Sequence, residues 1–273
     1  MTPAVASVRP PAVAGSFYSG EAQQLQQEVN HYLAHPGVAL PPLVTPPRAV
    51  ILPHAGYRYS GMVAATGYRL LAPFQEQFGA ILLLGPSHRL GFRGIATCSH
   101  SHYQTPLGEH PIAHQLEQGC RSLSWYHTLD EAHRQEHSLE VHLPFIQQLF
   151  PHTPFLPLVV GDASAEEVQA VIDTIEAEMS PTHPLLTIVS SDLSHFHSNT
   201  DARAVDRQTA AAIIGRDIDA IHGENACGSR PLKGVLLAAR NWGEGVTCLE
   251  LRNSADSGGD RNRVVGYGAF RIG

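Results

Sequence analysis

The chain predicts an α/β fold: a single domain over residues 1–273, with a central mixed or parallel sheet flanked by helices. Three observations predict it. Four short apolar runs read as buried strands, and segments of helical periodicity lie between them. The composition, 43% hydrophobic and 16% charged in 273 residues, suits one hydrophobic core near its upper size.

In chain order, Leu25, Val29, Tyr32 and Leu33 recur at helical spacing after Ser19, an N-cap candidate. The Pro-rich stretch 35–47 reads as a crossing loop inside the domain, because too little chain precedes it to form another. The apolar runs 49–52, 80–84, 155–160 and 185–189 are the buried strands. Ser164 with Glu167 makes a capping box, after which Val168, Val171, Ile172, Ile175 and Met179 line one helical face. Two more helices are expected at 202–221 and 229–240. Two late strands, 246–252 and 264–272, are joined by a Gly/Asp/Ser-rich loop.

Composition also excludes. The net charge is −7 and no Lys/Arg run occurs, so a nucleic-acid role lacks its basic face. The longest apolar runs fall far short of a bilayer span, and no membrane association is expected. The N-terminal residues lack a basic head followed by a long apolar block, so no secretory signal is expected. Four cysteines stand apart without a CxxC pair, which suits a reducing cytoplasm better than a disulfide framework. Cys98, Cys120 and Cys248 are read as buried packing residues.

Histidine is the anomaly, at 17 residues against 18 Lys plus Arg, so placement must decide which of them carry chemistry. Three of the strand candidates run directly into Pro53-His54, Gly85-Pro86-Ser87-His88 and Ser190-Ser191-Asp192-Leu193-Ser194-His195. Ligands collect beyond the carboxyl ends of strands in open α/β sheets, and Pro or Gly beside His54 and His88 would make the turns that aim them. Two neutral imidazoles need an anionic partner to hold a divalent ion, and Cys227, just before the helix at 229, is the candidate. There the helix dipole and Arg230 would lower its thiol pKa; the plainer reading of Cys227 alone is a small buried hydrophobe. A rival motif is His133-Arg134-Gln135-Glu136-His137, the HxxEH signature of a zinc hydrolase, in which a helix would place both imidazoles on one face for zinc. With so many histidines such a match arises easily by chance.

Further segments carry a family resemblance: Ala14-Gly15-Ser16-Phe17-Tyr18, Pro53-His54-Ala55-Gly56-Tyr57, Gly85-Pro86-Ser87-His88, Glu136-His137-Ser138-Leu139-Glu140-Val141-His142-Leu143-Pro144, Ser190-Ser191-Asp192 with His195, and Cys227-Gly228 with Pro231. In this order, over nearly the whole chain, they resemble the Memo family. That family is similar in fold to the LigB-type class III extradiol dioxygenases, non-haem iron enzymes that open catechol rings. The resemblance implies His54, His88 and Cys227 as metal ligands, Cys227 standing where the dioxygenases have a carboxylate. It implies His195 as acid/base histidine and Asp192 beside it, orienting His195 or a substrate hydroxyl. His137, Glu140 and His142 become pocket-wall or supporting residues, with Glu140 a candidate to orient His54 or His88. The resulting expectation is an oxidoreductase of a small phenolic substrate using Fe(II), with Zn or Cu as alternatives because thiolate softens the site. The alternative is a non-catalytic scaffold binding a metal or a peptide. The resemblance also implies a radical-SAM protein and a third protein as partners.

Overall fold

The structure is a computed structural model describing residues 7–35 and 37–273. Its strands are β1 (Val8–Arg9), β2 (Ala49–Leu52), β3 (Ala80–Pro86), β4 (Ile95–Thr97), β5 (His102–Thr105), β6 (Gly108–Pro111), β7 (Tyr126–Thr128), β8 (Phe155–Val160), β9 (Leu185–Ser190), β10 (His195–His197), β11 (Val246–Asn253) and β12 (Val264–Ile272). Its helices are α1 (Ala22–Ala34), α2 (Tyr57–Leu71), α3 (Asp130–Arg134), α4 (Leu143–Leu149), α5 (Ala165–Ala177), α6 (Asn199–Gly215) and α7 (Ser229–Trp242).

The main sheet is mixed, in the order β10-β12-β2-β9-β3-β8-β4-β7, with β11 paired to β12. At its centre β2, β9, β3 and β8 run parallel, and every residue of these four strands is buried. That double-sided burial is why they read as unbroken apolar runs. Helix α7 packs on β3 and β9 with α5 behind it, while α2 packs on β2 and β12 and touches α1 and α4. A small separate sheet, β1-β5-β6, ties the N-terminal segment to the middle of the chain.

The expected central strands, the late strand pair and the helices on α1, α5 and α7 are present; the differences have physical causes. The expected 202–221 helix begins earlier, where Ser198 caps it by accepting from the Asp201 backbone N–H, and it stops at Gly215 with Arg216 in the left-handed region (φ 56°). Helix α1 starts after Glu21 instead of Ser19. Helix α2, which periodicity did not single out, is buried at 11 of its 15 residues and so has no polar face to mark it. The Ser164–Glu167 capping box forms as expected.

Candidate metal centre

Because β2, β9 and β3 are parallel neighbours, their carboxyl ends lie side by side. His54 follows β2, His88 follows β3, and Ser190 ends β9. Cys227 is brought to the same edge by its own backbone, whose N–H donates to the Asp192 carbonyl at 3.3 Å. Gly228 permits that approach: a Cβ there would sit 2.5 Å from the Ser190 carbonyl oxygen. The result is that His54, His88 and Cys227 offer three donor atoms within 4.8 Å of one another. The His54 and His88 ring centroids are 5.1 Å apart, nearly edge to face.

Both imidazoles are held from behind in one tautomer. The Ser190 hydroxyl donates its single proton to the Ser138 carbonyl (2.6 Å). Toward His54 Nδ1, 2.6 Å away, it is therefore an acceptor, and His54 carries its proton on Nδ1. His88 Nδ1 donates to Glu136 Oε1 at 2.9 Å. Burial pushes the Glu136 carboxyl up, but hydrogen bonds from the His88 ring and from the His88 and Ser138 backbone outweigh it and hold it down at about 2. Glu136 is therefore an anion. In each ring Nε2 is left with its lone pair, and His54 Nε2 lies 3.2 Å from Cys227 Sγ. Carboxylate or hydroxyl behind Nδ1 with Nε2 free is how a protein prepares histidine to bind a metal.

The three expected supporting residues separate. His137 stacks on His88 (4.6 Å between centroids), and its Nδ1 is buried without a hydrogen bond, 3.3 Å from Glu136. His142 lies one layer deeper: its Nε2 donates to Ser190 at 3.0 Å and its Nδ1 accepts from the Tyr68 hydroxyl at 3.1 Å. Glu140 does not orient either imidazole. It is turned away into a closed set of donors, an ion pair with Arg9, the Tyr18 hydroxyl (2.6 Å) and the backbone N–H groups of Ala12 and Val13. Residues 140–142 form a 3₁₀ turn, so facing at this point follows neither helix nor strand periodicity. The carboxylate on the ligand ring is Glu136 and the hydroxyl is Ser190. In sequence Glu136 stood in the HxxEH pattern and Ser190 just past the 185–189 strand, both also in the segments that carry the family resemblance, but neither was given this role.

A sequence profile described as Memo-like protein matches residues 9–271. The chain belongs to the Memo family. Relatives described as MEMO1 family proteins include one from Nitrosopumilus maritimus, 30% identical over 97% of this chain and 99% of its own length. One from Sulfurisphaera tokodaii is 31% identical, and one from Methanosarcina acetivorans 33%, each over 97% of this chain and 99% of the relative. A solved structure of an uncharacterized protein from Escherichia coli K12 is similar at a TM-score of 0.47 and 14% identity, covering 82% of this chain and 99% of that one.

In this Memo-family chain Asp192 is buried, and its Oδ1 accepts from the His54 backbone N–H at 2.8 Å. It braces the turn carrying His54 and lies within electrostatic reach of His195, whose Nδ1 donates to the Leu193 carbonyl (2.8 Å). Burial pushes the Asp192 carboxyl up to about 6. The Cys227 thiol is likewise pushed up, by burial first and then by Asp192, opposite to the lowering expected from the helix terminus. Arg230 gives no help, because it turns outward to Asp162 at 2.9 Å. A thiolate at Cys227 therefore needs a cation beside it, and two imidazole lone pairs complete a donor set suited to a transition metal. The residues present fit such an ion. A cavity of about 260 Å³, lined among others by Pro86, Phe92, Val160 and Cys227, adjoins the site.

Strand β10 is bulged between His195 and His197. The residue at the bulge, Phe196, has φ 65°, a conformation that costs a non-glycine residue about 1–2 kcal/mol.

The HxxEH residues do not assemble. Helix α3 ends at Arg134, so His133 and His137 do not share a helical face. His133 is fully buried, its Nε2 donating to the Ala96 carbonyl (3.0 Å) and its Nδ1 accepting from Tyr103 (2.5 Å).

Proposed function

We propose that this protein is a metal-dependent oxidoreductase, with Fe(II) held by His54, His88 and Cys227, acting on a small phenolic or similarly electron-rich substrate. The observation that carries the reading is the convergence of three donor atoms with both imidazoles fixed from behind in the Nδ1–H form. When bound, Fe(II) supplies redox reactivity toward O₂ and Lewis acidity toward a phenolic hydroxyl. His54 and His88 bind as neutral donors, and Cys227 supplies the negative charge after losing its proton. Asp192 keeps the His54 turn in place. His195, its Nδ1 tied to Leu193, has Nε2 with which to take and return a substrate proton.

The reading extends to setting. Among the described residues no helix is long and apolar enough to cross a membrane. All four cysteines are free, which supports a cytoplasmic site of action. A radical-SAM protein and an associated third protein are the proposed partners. One observation favours a second reading, a non-catalytic scaffold binding a metal or a peptide: the anionic donor is a thiol, which suits Zn or Cu(I) as well as iron.

Elemental analysis after anaerobic purification tests the reading. Near-stoichiometric iron in the wild type that is lost in Cys227→Ala is the expected result, and it justifies assaying catechols with O₂. Stoichiometric zinc or copper keeps the site and moves the conclusion to the scaffold. Absence of any bound metal sinks the metal assignment.

A further inference from the structure

Phe196 is disfavoured twice where it stands. Its backbone is in the left-handed region, which glycine would take without strain, and its ring is 59% exposed, where a polar side chain would cost nothing. Among the described residues the other exposed large hydrophobics are Val44 and Ile214, and neither has a positive φ. The guanidinium of Arg263 lies 4.3 Å from the ring centroid, an attraction that at an exposed site returns less than the backbone strain removes. Folding stability therefore does not explain a phenylalanine here. Its position does: the ring stands 5.6 Å from that of His195, edge to face, on the bulge that carries both.

We propose that Phe196 is a specificity-determining residue of the site, its solvent-facing ring surface seating the aromatic ring of the substrate. Arg263 backs the ring on one face and leaves the rest open. The strained bulge holds that open surface beside His195, the residue positioned to exchange a proton with a phenolic hydroxyl. The groups beside it, Arg263 and His195, favour a planar ring bearing acidic hydroxyls, and Asp206, within electrostatic reach of His195 and His197, is engaged by the Ser194 backbone N–H at 3.0 Å. This inference rests on the proposed phenolic substrate.

The test uses 4-nitrocatechol as a chromophoric probe of anaerobically Fe(II)-loaded wild type, Phe196→Leu and Phe196→Gly, with iron content and metal-free thermal melting measured in parallel. The expected result is unchanged iron content, probe binding weakened by up to about tenfold in both variants, and a Phe196→Gly protein that melts no lower than wild type. Variants that bind the probe as tightly as wild type overturn the role of Phe196 while leaving the phenolic reading intact. A Phe196→Gly protein that melts several degrees lower shows the ring to be structural and also overturns it. A wild type that loads no iron, or does not perturb the probe spectrum, sinks the phenolic reading itself and this inference with it.

Discussion

Four histidines of this protein form two pairs that differ in one atom. His54 and His88 carry their proton on Nδ1, toward the partners behind them, and keep on Nε2 the lone pair that the proposed metal would take. His133 and His142 hold the opposite tautomer, with Nε2–H given to Ala96 or Ser190 and Nδ1 accepting from a tyrosine. Burial does not separate His54 from His133, which are 2% and 0% exposed, although His88 is exposed. The nitrogen that carries the proton separates the pairs, Nδ1 in the first and Nε2 in the second. The same division runs through two buried carboxylates four residues apart: Glu136 faces His88, and Glu140 faces Arg9. One region of the loop between α3 and α4 backs a proposed ligand ring, and its neighbour is already complete.

The largest effect should come from the complete region. Glu140→Gln leaves the Arg9 guanidinium buried beside a neutral amide, which should cost about 3–5 kcal/mol of stability. Metal stoichiometry of the folded variant should be unchanged, because no Glu140 atom is bonded to a ligand ring. Chemical denaturation with elemental analysis checks both. Loss of metal from a folded Glu140→Gln protein would erase the distinction between the regions.

Acid should reveal the second pair. Burial, with Arg9 adding to it, pushes His133 down to about 4 against an ordinary value near 6.5. The unfolded chain thus binds a proton that the folded chain refuses. The stability this represents is complete above pH 6.5 and is lost as pH falls from 6.5 to about 4. At full extent that is about 3 kcal/mol from this group alone. His133→Gln should be less stable at pH 7.5 and should lose less of its stability between pH 6.5 and 4. An equal slope in denaturation series of the two proteins would mean His133 is not held neutral by the fold.

What the sequence disclosed of these regions depended on whether local order carried the information. His54, His88 and the Asp192–His195 segment were legible because each directly follows an apolar run, and parallel neighbours bring such ends together. The mixed sheet itself was legible for the same reason. Helix α2 was not, since burial on nearly all sides removes the polar stripe that periodicity detects. Glu136 and Glu140 could not be told apart, because the intervening chain leaves α3 at Arg134 and enters a 3₁₀ turn at Glu140. The Cys227 thiol was misjudged because proximity to a helix start is local, whereas enclosure by Asp192 and the β9 edge is tertiary. Phe196 gave no signal at all; its left-handed backbone follows from pairing with β12.

Within the prepared region, Glu136→Gln should weaken metal binding by about 10–100-fold. An amide oxygen still accepts from His88 Nδ1–H but no longer supplies charge. Competition with a chromophoric chelator measures the change, and thermal melting of the metal-free protein should distinguish a tuning effect from unfolding. An unchanged affinity would reassign the role of second partner to His137, which stacks on the same ring.

The smallest effect should come where the two pairs meet. Tyr68 donates to His142, His142 donates to Ser190, and Ser190 accepts from His54, so one chain of hydrogen bonds joins a structural histidine to a proposed metal ligand. Tyr68→Phe removes the first donor and leaves His142 Nδ1 unpaired, at a cost of about 1–3 kcal/mol of stability. The Nε2–H tautomer of His142 is still favoured by Ser190, whose lone pairs face both rings because its own proton goes to Ser138. Metal affinity should therefore change by less than about threefold, since more than that would exceed what polarisation along such a chain supplies. A tenfold loss in Tyr68→Phe, with the fold intact, would show instead that the His54 tautomer is set from Tyr68, and that the two pairs form a single unit.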